Sequence, residues 1–160
     1  MTLDELYDTY GEKMYHYMAL RLGSLQDAED VLQETFCRLA RYSVRWALVH
    51  NPRAFVFKVL RNESNRYLAR RIKDETDERT NLDRPAEPVS IIESPDENAS
   101  QVADALARLP DEQRDIIILK VFHDFTFKEI AGICGLSANT AASRYRYAKE
   151  KLRILLEGKI

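Results

Sequence analysis

The sequence predicts an all-α protein of two small helical domains joined by a flexible acidic linker, and three observations carry that prediction. Glycine and proline number only five each in 160 residues, too little punctuation for many short strands and tight turns. Apolar residues recur at helical spacing through most of residues 1–73 and 99–160. Between them, residues 74–98 hold Pro85, Pro88 and Pro95, a majority of acidic and small polar residues, and no sustained apolar period. A composition of 45% apolar and 31% charged residues suits a soluble globular chain and does not suit a disordered or membrane protein. About 25 linker residues extend to at most ~85 Å, so the two domains need not touch. Ile91 and Ile92 are the apolar exception inside the linker, candidates to dock on a domain or a partner.

In the first domain Leu3, Leu6, Tyr7 and Tyr10 begin a helix, and Met14, Tyr17, Met18 and Leu22 continue its stripe until Gly23 ends it. Ser24 caps a second helix whose apolar stripe is Ala28, Val31, Leu32, Thr35, Phe36 and Leu39. Its other face carries Asp27, Glu29, Asp30, Gln33 and Glu34. Residues 42–51 form a loop containing Trp46 and His50. A third helix starts at Pro52, favoured in a first turn because its missing N–H would have no helical partner there, and runs through Phe55, Val59 and Leu60 to Leu68.

The second domain opens with a short helix on Val102, Ala105, Leu106 and Leu109, stopped by Pro110. The next helix starts at Asp111 and is dense in isoleucine, with Ile116, Ile117 and Ile118 followed by Leu119. Phe127, Ile130, Ala131 and Cys134 then stand at i, i+3, i+4 and i+7, before Gly135-Leu136 and a helix capped by Ser137. Ala141, Tyr145, Ala148 and Leu152 form the buried stripe of that last helix. A helix, a short glycine turn and a serine-capped helix is the layout of a helix-turn-helix, and a plain helical hairpin shares the same spacing.

The net charge of −2, taken alone, argues against a nucleic-acid partner, but it is a sum of opposed parts. Residues 1–37 carry −6, whereas residues 38–73 carry +9, with ten bases against Glu63 alone. Residues 74–97 carry −7 and residues 98–160 carry +2, the final stretch from 143 holding six bases against Glu150 and Glu157. The acidic segment between the basic patches is a candidate competitor with DNA for them.

If the Ser137 helix is a recognition helix, the face opposite its buried stripe presents Asn139, Ala142, Ser143 and Arg146, flanked by Thr140 and Arg144. Asparagine pairs with adenine and arginine with guanine in bidentate fashion, while serine and threonine reach bases or phosphates. Lys149, Lys151 and Arg153 continue toward phosphates, which adds affinity without sequence information. The first domain's bases differ in being interleaved with aromatics, from Arg38, Arg41, Tyr42, Arg45 and Trp46 to Arg53, Phe55, Phe57, Lys58 and Arg61. Cations neutralise phosphates and exposed rings stack on unpaired bases, so single-stranded nucleic acid is the implied ligand. Phe55 and Val59 also fit the domain core, and Trp46 is either a base contact or a satellite core residue.

Other chemistries find no support. The chain has no glycine-rich phosphate loop, no His-x-x-x-His pair, and no Ser or Cys nucleophile beside a plausible base, so neither an enzyme nor a cofactor is expected. Cys37 and Cys134 are far apart, as are His16, His50 and His123, and no metal site is expected. Asp27, Glu29 and Asp30 do not converge on one helix face. The acidic start Met1-Thr2-Leu3-Asp4-Glu5 is unlike a signal peptide, and no apolar run approaches the roughly 20 residues of a membrane span, so a cytoplasmic protein without membrane insertion is expected.

Three stretches resemble bacterial RNA polymerase sigma factors of the sigma-70 class, specifically the extracytoplasmic-function group. Residues 27–36, Asp-Ala-Glu-Asp-Val-Leu-Gln-Glu-Thr-Phe, resemble region 2.2, and residues 52–62, from Pro52 to Asn62, resemble regions 2.3 and 2.4. Leu109-Pro110-Asp111-Glu112-Gln113-Arg114, with Phe127–Ala131 and Leu136–Thr140, resembles region 4. The resemblance implies that residues 1–73 form region 2, that 74–98 link it to region 4, and that 99–160 form region 4. It implies that Asp30, Gln33 and Glu34 dock on the clamp helices of core RNA polymerase. Trp46, His50, Asn51, Arg53, Lys58, Arg61 and Asn62 would then hold the melted, single-stranded minus-10 element. Asn139, Thr140, Ser143, Arg144, Arg146 and Lys149 would read the duplex minus-35 element, and the apolar surface of region 4 would hold the polymerase flap tip. An anti-sigma factor is a further implied partner. The sequence departs from the family where Phe55 stands for the usual tryptophan, Arg66 for a frequent acid, and Ala141-Ala142 for a common Val-Lys. Two other readings remain: a polymerase-independent helix-turn-helix regulator, dimeric on a palindrome, and a pure interaction module.

Overall fold

The computed structural model describes residues 2–41, 46, 48–77 and 97–157, and among them it holds seven α-helices and no strand. In chain order these are α1 (Leu3–Leu22), α2 (Leu25–Ala40), α3 (Pro52–Asp77), α4 (Glu97–Arg108), α5 (Asp111–Ile117), α6 (Phe127–Cys134) and α7 (Ala138–Leu156). Tyr42, Arg45, Ile91, Ile92 and the span from 78 to 96, with the linker role expected of it, lie outside the described residues.

Local chemistry sets most of the ends. Thr2 and Glu5 form a reciprocal capping box at the start of α1, the Glu5 amide donating to Thr2 Oγ1 at 3.2 Å and the Thr2 amide to Glu5 Oε2 at 2.9 Å. Gly23 closes α1 at φ +67°, a conformation that costs a side-chain-bearing residue more. Ser24 caps α2 by accepting from the Asp27 amide at 3.2 Å, and Asn51 Oδ1 accepts from the Ala54 amide at 3.2 Å ahead of Pro52. α3 continues past residue 73, where the linker was expected to begin, to Asp77, and Pro85 is the first breaker in the sequence beyond it. α4 likewise begins at Glu97 rather than 99.

α5 passes into a π-helical turn over Ile118–Phe122. Ile116, Ile117, Ile118 and Leu119 are all at most 1% exposed, and four consecutive buried residues exceed the single stripe of an amphipathic helix. The segment is therefore packed on all sides, and the wider turn changes its phase.

The amino-terminal unit (α1–α3) and the carboxy-terminal unit (α4–α7) share one continuous core. Tyr17 of α1 lies 5.4 Å from Phe57 of α3 between ring centroids, and Phe57 lies 5.0 Å from Phe125, in the turn before α6. All three are fully buried. This corrects the expectation that the two units need not touch: linker length permits separation, but an apolar face formed by Tyr17 and Phe57 gains by leaving water. A second correction concerns Asp27, placed by periodicity on the solvent face of α2. It is 3% exposed, accepts from the Tyr67 hydroxyl at 2.7 Å, and pairs with Arg71, tying α2 to α3. Burial, then Asp27, pushes the Tyr67 hydroxyl up to about 12. No helix among the described residues is long and apolar enough to cross a membrane.

Candidate nucleic-acid interface

The helix-turn-helix is assembled by caps. Thr126 and Glu129 form a capping box at the start of α6, Gly135 ends it at φ +71°, and Ser137 starts α7 by accepting from the Thr140 amide at 3.1 Å. Ala141 and Ala148 are fully buried, with Tyr145 and Leu152 packed beside them, as the stripe predicted. The opposite face leaves Asn139, Thr140, Arg146 and Lys149 exposed, while Ser143 is half-buried. Arg144 is also half-buried and reaches Glu112 of α5 at 3.5 Å.

Much of the charge in the +9 segment is spent inside the amino-terminal unit. Glu63, 3% exposed, pairs with Arg38 and, at 3.1 Å, with Arg66, and Arg71 pairs with Asp27. Trp46 resolves as a satellite core residue, 6% exposed and edge-on to Phe55 at 5.7 Å between centroids. Phe55 and Val59 join the core as expected.

The remaining minus-10 candidates divide between two surfaces. His50, Lys58 and Asn62 are exposed to solvent. Asn51, Arg53 and Arg61 instead engage the carboxy-terminal unit. Asn51 Nδ2 donates to Glu129 Oε2 at 2.9 Å, the Arg53 guanidinium lies 4.0 Å over the Phe125 ring, and Arg61 Nε donates to Asp115 Oδ2 at 2.5 Å. The Thr126 amide, with Asn51, holds the Glu129 carboxyl below its usual range.

Asp115 is the centre of this contact and was not singled out in the sequence. It is 1% exposed, accepts from the Tyr17 hydroxyl and Arg61, and lies 3.5 Å from Arg21 Nε. Burial, reinforced by Asp115, raises the Tyr17 hydroxyl well above its ordinary value and pushes the Cys134 thiol up to about 12. The available signal was an acid beside the apolar run from Ile116 to Leu119, a phase in which a carboxylate needs buried partners. Near this cluster His16 Nδ1 and His123 Nε2 stand 3.5 Å apart. Burial lowers both imidazoles, and with His16, Arg53 and Lys13 nearby His123 falls to about 3.

Asp30, Gln33 and Glu34 are exposed on α2. Beside Gln33 a groove between α1 and α2 is floored by Tyr7, Tyr15, Leu32 and Phe36 and rimmed by carboxylates including Asp4 and Glu29. This surface suits a partner carrying basic and apolar side chains.

Known proteins share both units. Sigma-70 region 2 matches residues 6–73, and sigma-70 region 4 matches residues 99–152. The extracytoplasmic-function RNA polymerase sigma factor SigL of Mycobacterium tuberculosis is 32% identical over 95% of this chain and 87% of its own length. SigM of Bacillus subtilis, of the same group, is 27% identical over 97% of this chain and 95% of its own. Among solved structures, the sigma factor RpoE of Bartonella quintana, in complex with the anti-sigma factor NepR, superposes with TM-score 0.74 at 25% identity, covering 96% of this chain and 99% of that one.

Proposed function

The chain belongs to the extracytoplasmic-function group of sigma-70 RNA polymerase sigma factors and directs promoter-specific transcription, and we propose how its residues divide that work. Region 4 reads duplex minus-35 DNA through Asn139, Thr140, Ser143, Arg144 and Arg146, while Lys149 neutralises phosphate. Region 2 holds the melted minus-10 strand through His50, Asn51, Arg53, Lys58, Arg61 and Asn62, with Trp46 supporting that surface from beneath through Phe55. Capturing an extruded base offsets an unstacking cost of a few kcal/mol, so opening is driven by binding and needs no bond chemistry from this chain. Asp30, Gln33 and Glu34 dock on core polymerase, with the acidic groove beside them. The protein works in the cytoplasm, where the polymerase is, and an anti-sigma factor is its expected regulator.

The observation that carries this reading is the capped helix-turn-helix of α6 and α7, with Asn139, Thr140 and Arg146 exposed, on a chain that also matches region 2. A regulator acting without polymerase leaves region 2, matched over residues 6–73, without a task. The test is transcription from supercoiled genomic promoters by core polymerase with the purified protein added. Specific initiation that depends on the added chain is expected; initiation from no promoter overturns the reading.

A further inference from the structure

We propose that His16 of α1 and His123, in the turn before α6, form a two-histidine site for a divalent transition-metal cation that ties the amino-terminal unit to the carboxy-terminal one. Neither residue has a part in the promoter-reading surfaces proposed above, and their arrangement is poorly explained as a hydrogen bond. His16 Nδ1 and His123 Nε2 approach to 3.5 Å, with the two rings edge to face, 5.4 Å apart between centroids and inclined at 71°. An N–H donor prefers its acceptor at about 2.9–3.0 Å, so a hydrogen bond here is stretched to its outer limit. Two imidazole nitrogens on one tetrahedral ion, each about 2.0–2.1 Å from it, stand about 3.3–3.4 Å apart. The observed spacing is close to that of a shared ion, and a small turn of the half-exposed His16 ring closes the difference.

The surroundings prepare the pair and select the ion. Phe57 and Tyr17 pack against His123 at 5.2 and 6.0 Å between centroids, and Phe122 against His16 at 5.7 Å, which holds both rings in place. Burial lowers both imidazoles, so at neutral pH each ring is uncharged and keeps a lone pair for a metal. In the metal-free chain one of the two approaching nitrogens carries a proton. On binding, that ring takes its other tautomer, so neither ring changes charge. No third histidine, cysteine or carboxylate completes a cluster here among the described residues, and water, reached along His16, fills the remaining positions. Imidazole donors favour zinc, cobalt, nickel or copper(II) over magnesium and calcium, which call for oxygen ligands. Lys13 of α1 and Arg53 of α3 oppose a cation at this place and keep its affinity below that of a four-ligand structural site. The two histidines are 107 residues apart and meet only in the folded chain, so the ion binds that state and stabilises it.

The experiment uses the full chain carrying Cys37→Ser, which removes an exposed thiol able to bind the same ions, and zinc chloride as the probe. In the first arm, imidazole nitrogen resonances are followed by NMR as zinc is added at neutral pH. Movement of His16 Nδ1 and His123 Nε2 with one shared saturation curve, and none at His50, is expected; any other pattern overturns the proposal. In the second arm, zinc affinity is measured by calorimetry and the urea midpoint is read with and without zinc. The midpoint of the Cys37→Ser chain should rise with zinc and not with calcium. His16→Ala and His123→Phe should each abolish the rise and weaken zinc binding by about a hundred-fold, because a lone imidazole loses the advantage of the paired site. A midpoint indifferent to zinc, or one that rises equally in His16→Ala or with calcium, overturns the proposal. His16 is half-exposed, so His16→Ala keeps the arm decisive if His123→Phe fails to fold. Neither arm involves polymerase or promoter DNA, so a failure here leaves the promoter reading untouched.

Discussion

The two reading surfaces proposed for this sigma factor stand in opposite states. On α7, Asn139, Thr140, Arg146 and Lys149 face solvent, and the surface is complete once a cap, a turn and a helix have formed. At the start of α3 and along it, Asn51, just before the helix, and Arg53 and Arg61, within it, are engaged by Glu129, Phe125 and Asp115 of the other unit. The difference follows from the two ligands. A duplex groove exists before the protein arrives, so a polar helix face can be presented ready-made. Unstacked bases exist only after melting, and a surface able to hold them must combine cations with apolar rings. Such a surface also attracts any carboxylate and ring that the chain itself can bring within reach.

Four perturbations would break or sharpen that contrast, in descending order of effect. Asp115→Ala leaves Arg21, Arg61 and Tyr17 buried without their shared acceptor and should destabilise the closed chain by about 3–5 kcal/mol, seen in urea as one transition moving down or splitting into two. A midpoint equal to the parent's would remove Asp115 as the tie between the units. Asp27→Ala takes the acceptor from Tyr67 and Arg71 inside region 2 alone, and should cost about 1–3 kcal/mol, read as a shift of the urea transition. A midpoint equal to the parent's would remove Asp27 as the tie between α2 and α3. Arg146→Ala should weaken minus-35 binding by about 1–3 kcal/mol and relax preference at one base pair, measured on promoter variants with core polymerase present. Unchanged affinity and preference would count against its assigned role.

The smallest effect is a graded response to acid. His123 and His16 are held neutral in the closed chain, the former at about 3 against an ordinary 6.5. On unfolding, the imidazoles regain water and more ordinary values, so the unfolded state binds more protons in the window between. The stability that goes with neutral His123 is therefore fully present above about 6.5 and is lost as pH falls toward about 3. The groups facing it are Lys13 and His16 from α1 and Arg53 from α3, and positive charge on any of them opposes its protonation. The urea midpoint should decline between about pH 7 and about pH 5 in the parent and less so in His123→Phe. An identical decline in both would assign the response to other groups.

What was legible in the sequence was short-range. Gly23, Ser24, Pro52, Gly135 and Ser137 fixed helix ends because a cap or a positive φ is decided within a few residues, and the period of Ala141, Tyr145, Ala148 and Leu152 gave the face of α7 by geometry alone. The candidates on α3 were legible as residue types, but their orientation was not. Asp27 shows why. Its neighbours on α2 suggest a solvent face, and only Tyr67 and Arg71, some 40 residues on, make its burial affordable.

The sequence by itself determined that this is a helical, two-unit sigma factor whose −2 net charge conceals two basic segments, the ones proposed above to read single strands and duplex. Only the tertiary structure decided which of these side chains remain available: Glu63 and Asp27 neutralise part of the +9 segment, and Asp115 and Glu129 occupy Arg61 and the Asn51 amide. The physical reason is range. Helix propensity and capping act between near neighbours, whereas the partner of a buried charge can come from anywhere in the chain and is fixed by the packing of Tyr17, Phe57 and Phe125 that brings the two units together.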